Sequence, residues 1–435
     1  MAFLINLIVG IILFFYGVKI YTSYNLRPVS NPCGTGENYY LNKHLHFLLF
    51  SIATSMVFLG PFSLVKYVFW FAILVILIFF FRLKFDIIVG SYILFLLWAL
   101  FSMSYTSELY QGTMLLIKYA LPMLYLWLGY NAINGKEDFI IFLKKSNIIL
   151  ILYALFIGGF AYKVFPFLYS LLLFKSGGLF IAYASLADFF TALFVIPLTL
   201  YVITKRSKYL YAALWLLLST VLEVVRTGLG GIALSIMFFG FIFYKWRAVP
   251  FVVFPVILFV IAILFIPDVR EKMFVDDSNT AIAQTSLTFD NIQSNGRELI
   301  WEKNIEKFYK PNPLIGAGLG TSVSYTKDNF AVHLIHSDYV QILCDMGSIG
   351  LSFFCLFFIV LVCKVVYCCW FGYNKDDFVR LSGAMAVGSC AGVLFSMAFD
   401  NVVSYSQQCF VFPFLFIGIF LKAIDLCKDY NNRFV

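Results

Sequence analysis

His336-Ser337, followed after nine residues by Gly347-Ser-Ile-Gly350, stands at the foot of a long apolar segment. A polar cluster beside such a segment is expensive to keep in a membrane, so it is the first place to look for chemistry. Imidazole can take a proton from a hydroxyl near neutral pH, which makes His336 a candidate general base. Ser337 fits an N-cap for the helix that continues into the apolar segment. At 3.6 residues per turn, His336 and Gly347 would share one helical face with Gly350 close by, and the glycines would leave that face open to another helix or a substrate chain. The competing reading is an interfacial histidine bonded to a backbone carbonyl.

His333 lies one turn earlier and could serve as the base instead. His333 and His336 together hint at a metal, with Asp338 as the nearest further ligand, but no third ligand has a convincing spacing, so no metal site is expected. Arg226 lies in the run Leu222-Glu-Val-Val-Arg-Thr-Gly-Leu-Gly-Gly231, which joins two apolar segments with almost no loop. A guanidinium there either pairs with Glu223, one turn away, or faces an anionic ligand whose phosphate oxygens match it bidentately. Arg297 opens a helical turn, where a cation is slightly misplaced, and an anion bound between it and the free amides of that turn would resolve the mismatch. Lys303, Lys307 and Lys310 follow on the same helix and either help to hold a phosphate or form a solvated face. Asp345 and Asp400 are candidates for binding sugar hydroxyls.

The elements that must position these groups are membrane helices. The 435 residues are 62% hydrophobic and 12% charged, about half the charged share of a soluble domain. Candidate spans are 2–20, 46–60, 67–81, 85–103, 113–131, 146–163, 182–203, 209–225, 229–244, 249–267, 349–370, 381–399 and 408–425. The fold class is therefore all-α: a polytopic integral membrane helical bundle of about 12–13 spans with one long extracytoplasmic loop. Residues 1–267 form an N-terminal bundle, 268–348 the loop, and 349–435 C-terminal helices. Residues 1–20 read as a first span, since they lack a basic start and a small-residue cleavage site.

The net charge of +8 does not indicate nucleic-acid binding, because Lys and Arg fall between spans and mark one side as cytoplasmic. The 9 cysteines are scattered and suggest neither a disulfide framework nor zinc. Within the loop, Asn295 reads as the N-cap of an amphipathic helix over Leu299–Phe308, with Trp301, Ile305 and Phe308 on one stripe. Pro311-Asn-Pro313 ends that helix, and Gly316-Ala-Gly-Leu-Gly320 follows as a tight loop. No P-loop, dinucleotide fingerprint, G-x-S-x-G elbow or H-E-x-x-H motif is present, so no cofactor is expected.

These residues carry a resemblance. His336-Ser337, nine residues, then Gly347-x-x-Gly350 resembles the H-[NSQ]-x9-G-x-x-[GTY] pattern of the O-antigen ligase and O-antigen polymerase superfamily. Gly296-Arg297 with Trp301, the run Pro313-Leu-Ile-Gly-Ala-Gly-Leu-Gly320, and Arg226-Thr-Gly are similar to that family's loop and outer-turn signatures. The similarity covers about 220–360; the N-terminal half matches in hydropathy alone. The resemblance implies a GT-C-like, metal-independent, inverting glycosyltransferase in the bacterial inner membrane with its active site facing the periplasm. It implies an undecaprenyl-pyrophosphate-linked oligosaccharide as donor and acceptor, membrane lipids and a chain-length regulator as partners, and no nucleic acid. Carried over, His336 is the base, and Arg226 and Arg297 grip the departing pyrophosphate. Glu223, His333, Ser337, Gly347, Lys303 and Lys307 would contribute to substrate binding.

Within that family a polymerase joins lipid-linked repeat units, and a ligase moves the finished polymer onto lipid A-core. The motif does not separate them, and the Phe-, Tyr- and Lys-rich composition favours the polymerase. A polysaccharide or lipid transporter is the rival from another class. It would place paired broken helices and ionisable groups at the midplane, whereas here the polar residues cluster at one surface.

Overall fold

The computed structural model describes residues 43–55, 84–156, 183–223, 225–249, 297–330, 334–373, 375–405 and 407–432, with isolated positions between 158 and 265. Among them there is no strand. The helices are α1 (Lys43–Thr54), α2 (Ile87–Ser102), α3 (Leu109–Ala132), α4 (Lys136–Phe156), α5 (Tyr183–Leu193), α6 (Val195–Thr204), α7 (Ser207–Glu223) and α8 (Arg226–Tyr244). After these come α9 (Arg297–Asn304), α10 (Thr321–Asn329), α11 (Asp338–Tyr367), α12 (Asp377–Phe399), α13 (Val402–Tyr405) and α14 (Gln407–Asn432). Seven described helical stretches are long and apolar enough to cross a membrane, the longest running Asp338–Gly372. The expected spans 2–20 and 67–81, and more than half of 249–267, lie outside the described residues, as do His333, Asn295 and residues 268–296 of the long loop.

Helix starts follow local chemistry. Asp86 accepts from the Ile88 amide at the start of α2, and Asp376 accepts from Phe378 and Val379 at the start of α12. The fourth helix begins ten residues before the expected 146, because Lys144 and Lys145 ride on its exposed side rather than in a loop. Long basic side chains can stay inside a membrane helix by reaching outward from it.

Between helices, packing depends on small residues and rings. A Cβ at Gly129 would lie 2.2 Å from the Leu415 carbonyl oxygen, so α3 and α14 touch at backbone distance. Likewise Gly392 of α12 abuts Ser235 and the Gly231 carbonyl of α8, and Gly388 abuts the Ser235 carbonyl. Rings fill the centre: Phe357 and Phe414 stack at 5.0 Å, while Tyr92 meets both at 4.8 and 4.6 Å. The two ends of this bundle differ. At one, Lys84 pairs with Asp425 at 2.7 Å and Lys364 pairs with Asp86. At the other lie the first residues of α8 and α11 and the last of α12.

Candidate active site

The helix after His336 is broken at Gly347, which has φ 67° and ψ −172°. A break leaves carbonyls on one side and amides on the other without helical partners. Here the loop before α10 supplies them. Ala317 and Gly318 donate to the Cys344 and Asp345 carbonyls at 2.9 Å each, and Trp98 Nε1 donates to the Met346 carbonyl at 3.0 Å. Beyond the break, Ser348 and Ile349 donate to the Pro313 and Leu314 carbonyls at 2.9 and 3.2 Å. Gly316, Gly318 and Gly320 all have positive φ, which lets the loop run this close. Asp345 then accepts from the Gly320 and Ser322 amides at 2.9 Å each, closing the start of α10.

Three expectations change here. His336 and Gly347 do not share a continuous helical face, because His336 precedes the cap and Gly347 interrupts the helix. Nor is the face at Gly347 open: a Cβ there would lie 2.2 Å from the Leu314 carbonyl oxygen, so loop backbone fills the space expected for a substrate chain. Asp345 is fully buried and committed to backbone amides, so it does not present itself to sugar hydroxyls.

Ser337 is the N-cap, accepting from the Val340 amide at 3.3 Å. His336, just before it, has φ 60°, a left-handed conformation that few non-glycine residues adopt and that clusters at functional sites. Two residues of the α12–α13 turn hold it there. Asn401 Oδ1 accepts from the His336 backbone amide at 2.5 Å, and Asp400 Oδ1 lies 3.1 Å from the ring Nδ1. A carboxylate can only accept, so Nδ1 carries the hydrogen and Nε2 keeps its lone pair. Asn401 is fully buried and also donates to Asp338 at 3.3 Å and to Gln341 at 3.0 Å, fixing the turn to the first coil of α11. From the other side, Trp301 of α9 donates to the Ile335 carbonyl at 2.8 Å.

Arg297 begins α9, and its guanidinium donates to the Phe399 carbonyl, one residue before Asp400. Arg226 begins α8. Gly231 faces Gly392 and Ser235 faces Gly388, so continuing this antiparallel register brings Arg226 level with the end of α12. The charge of Arg297 acts on Arg226, so the two guanidiniums lie near enough to repel each other. The structure thus gathers Arg297 and His336 around the residues 399–401, with Arg226 at the neighbouring start of α8. Glu223 is the buried last residue of α7, at the same junction as Arg226.

Lys303 and Lys307 lie farther along α9 and its π-helical continuation Ile305–Tyr309, about 9–15 Å along the axis from Arg297. Lys303 pairs with Glu306 at 3.5 Å, and Lys307 sits 3.7 Å over the Tyr325 ring. Lys310 shares Glu306 at 3.5 Å. Sequence reasoning missed Asn401 and Asp338 as parts of the site and gave Asp400 another task. Their only signal is a polar Asp-Asn pair at the end of an apolar span. No group of three or more His, Cys, Asp or Glu among the described residues is arranged to hold a metal ion.

Comparison with curated proteins finds no match. Residues 211–355 match the family model described as O-antigen ligase. The matched stretch contains Arg226, Arg297, His336 and Gly347 and ends before Asp400. With its apolar helices, the chain is a multi-pass membrane protein, and its residues 211–355, a third of its length, are similar to the O-antigen ligase family.

Proposed function

We propose that this protein is an O-antigen polymerase: an inverting glycosyltransferase that joins undecaprenyl-pyrophosphate-linked repeat units at the periplasmic face of the bacterial inner membrane. The observation that carries the reading is the meeting of two guanidiniums with one carboxylate-oriented histidine. Two guanidiniums near each other offer a planar array of donors that matches the oxygens of a pyrophosphate. In this reading 268–348 form the periplasmic loop, whose α9 brings Arg297 to Arg226.

His336 Nε2 takes the proton from an acceptor sugar hydroxyl. The freed oxygen attacks the anomeric carbon of the donor from the face opposite the pyrophosphate. The new carbon–oxygen bond forms as the bond to pyrophosphate breaks, and the electron pair leaves on the phosphate oxygen. Arg226 and Arg297 stabilise that developing charge, and because they are fixed beforehand they need no reorganisation. The guanidiniums supply the positive charge, so the proposed reaction needs no metal and survives chelation. Asp400 keeps the histidine in the tautomer the step requires.

A ligase would use the same groups on a different acceptor. A deletion strain distinguishes the two on a lipopolysaccharide gel. Loss of a polymerase leaves core carrying a single repeat unit; loss of a ligase leaves bare core while polymer accumulates on the lipid carrier. Normal banding in the deletion strain contradicts both.

A further inference from the structure

Lys118 lies nine residues into α3, about 13 Å along the axis from the helix start. A lysine that deep in an apolar helix is costly and points to a task with a nameable partner. Its ammonium does not reach out to an open face. Nζ donates to the Ser404 carbonyl at 2.6 Å, and Asp338 is the carboxylate whose charge acts on it. Ser404 belongs to α13, a helix of four residues whose last carbonyls have no helical partners of their own. At the opposite end of the same turn, Asp338 accepts from the Asn401 side chain and from the Val403 amide, both at 3.3 Å.

The turn 399–405 is therefore held at its start by the Asp338 carboxyl group and at its end by the Lys118 side chain. It contributes no charge of its own beyond Asp400. It nevertheless supplies the Phe399 carbonyl to Arg297, the Asp400 carboxylate to the His336 ring, and the Asn401 side chain to the His336 backbone. Nothing in α13 itself is long enough to fix those three contacts.

We propose that Lys118 is a positioning residue for the glycosyl-transfer step: it locks the 399–405 turn so that Asp400 orients His336. The inference rests on His336 being the base. Lys118 touches neither substrate nor reacting atom; it acts through the turn, and its effect belongs in turnover rather than in substrate binding.

The test uses the full-length protein in liposomes with an undecaprenyl-pyrophosphate-linked repeat unit as substrate. Lys118→Gln keeps a donor for Ser404 but removes the charge. It is expected to lower kcat by about tenfold or more with KM changed less than about twofold. Lys118→Arg, which keeps charge and donor, restores most of the turnover. In an Asp400→Asn background the same Lys118→Gln change adds less than about twofold, because residues acting as a unit are not additive. Amide exchange of 399–405 rises in Lys118→Gln while that of the α12 core does not. Wild-type turnover in Lys118→Gln overturns the inference, as does an equal loss in the two backgrounds. If Lys118→Gln does not fold, Lys118→Arg alone decides: kcat above about one tenth of wild type supports the inference, and a lower value overturns it. His336→Ala is run in parallel. A fully active His336→Ala removes the reading of the base, whereas a dead His336→Ala beside a normal Lys118→Gln removes only the role of Lys118.

Discussion

The two ends of the bundle solve the problem of charge in opposite ways. At one end cations meet carboxylates: Lys84 pairs with Asp425, which Tyr130 also reaches at 2.7 Å, and Lys364 with Asp86. Arg380 lies 3.1 Å from Asp377 and donates to the Phe243 carbonyl at 2.7 Å. At the other end Arg297 meets a neutral carbonyl and its charge acts on Arg226, while Asp400 lies against a histidine and Asp338 against a turn. Paired charges hold helices together and are complete as they stand. Two guanidiniums near each other form a place where an anion from outside can bind. The difference separates the end that anchors the bundle from the end that works.

That comparison can be broken by substitution. The largest effect is expected for His336→Ala, which should lower polymer formation by about 100- to 10,000-fold with protein levels unchanged, as measured with lipid-linked substrate. Arg226→Ala and Arg297→Ala should each cost about 100- to 1,000-fold, read as slower release of the lipid pyrophosphate. Asp400→Asn keeps the shape but removes the charge that holds Nδ1–H and fixes the tautomer, and should cost about 10- to 100-fold. Gly347→Ala is expected to act on folding instead. It forces a side chain into loop backbone at positive φ and should destabilise the protein by about 3 kcal/mol, visible as a lower Tm. Smallest for function is Lys84→Met at the far end, which should lower Tm while turnover per folded molecule stays at the wild-type value. Equal losses of turnover from Lys84→Met and Arg226→Ala would erase the distinction between the ends.

Much of the framework was legible because it is written in local signals. Apolar runs gave the helices, Ser337 gave the cap of α11, and the arginine and histidine types suggested phosphate and proton chemistry before any geometry. What the sequence hid is long-range. The break at Gly347 reads as a helix-packing glycine until the loop 313–318 is seen to supply partners for both of its sides. Asp400 is 64 residues from His336, and Asn401 bonds through both ends of its amide to groups 60–65 residues away. Neither has a periodicity or spacing that marks it. Lys118 carries no signal beyond its place inside the expected span 113–131, and only its bond to Ser404, 286 residues on, shows which way it turns.

The most direct test is polymerisation by purified protein in liposomes, comparing wild type with the Arg226→Ala, Arg297→Ala double variant. Wild type should build a ladder of repeat units from the lipid-linked substrate and release undecaprenyl pyrophosphate in step with it. The double variant should bind membranes and fold normally yet release none. A double variant that extends the ladder at the wild-type rate would contradict the claim that the two guanidiniums hold the leaving pyrophosphate.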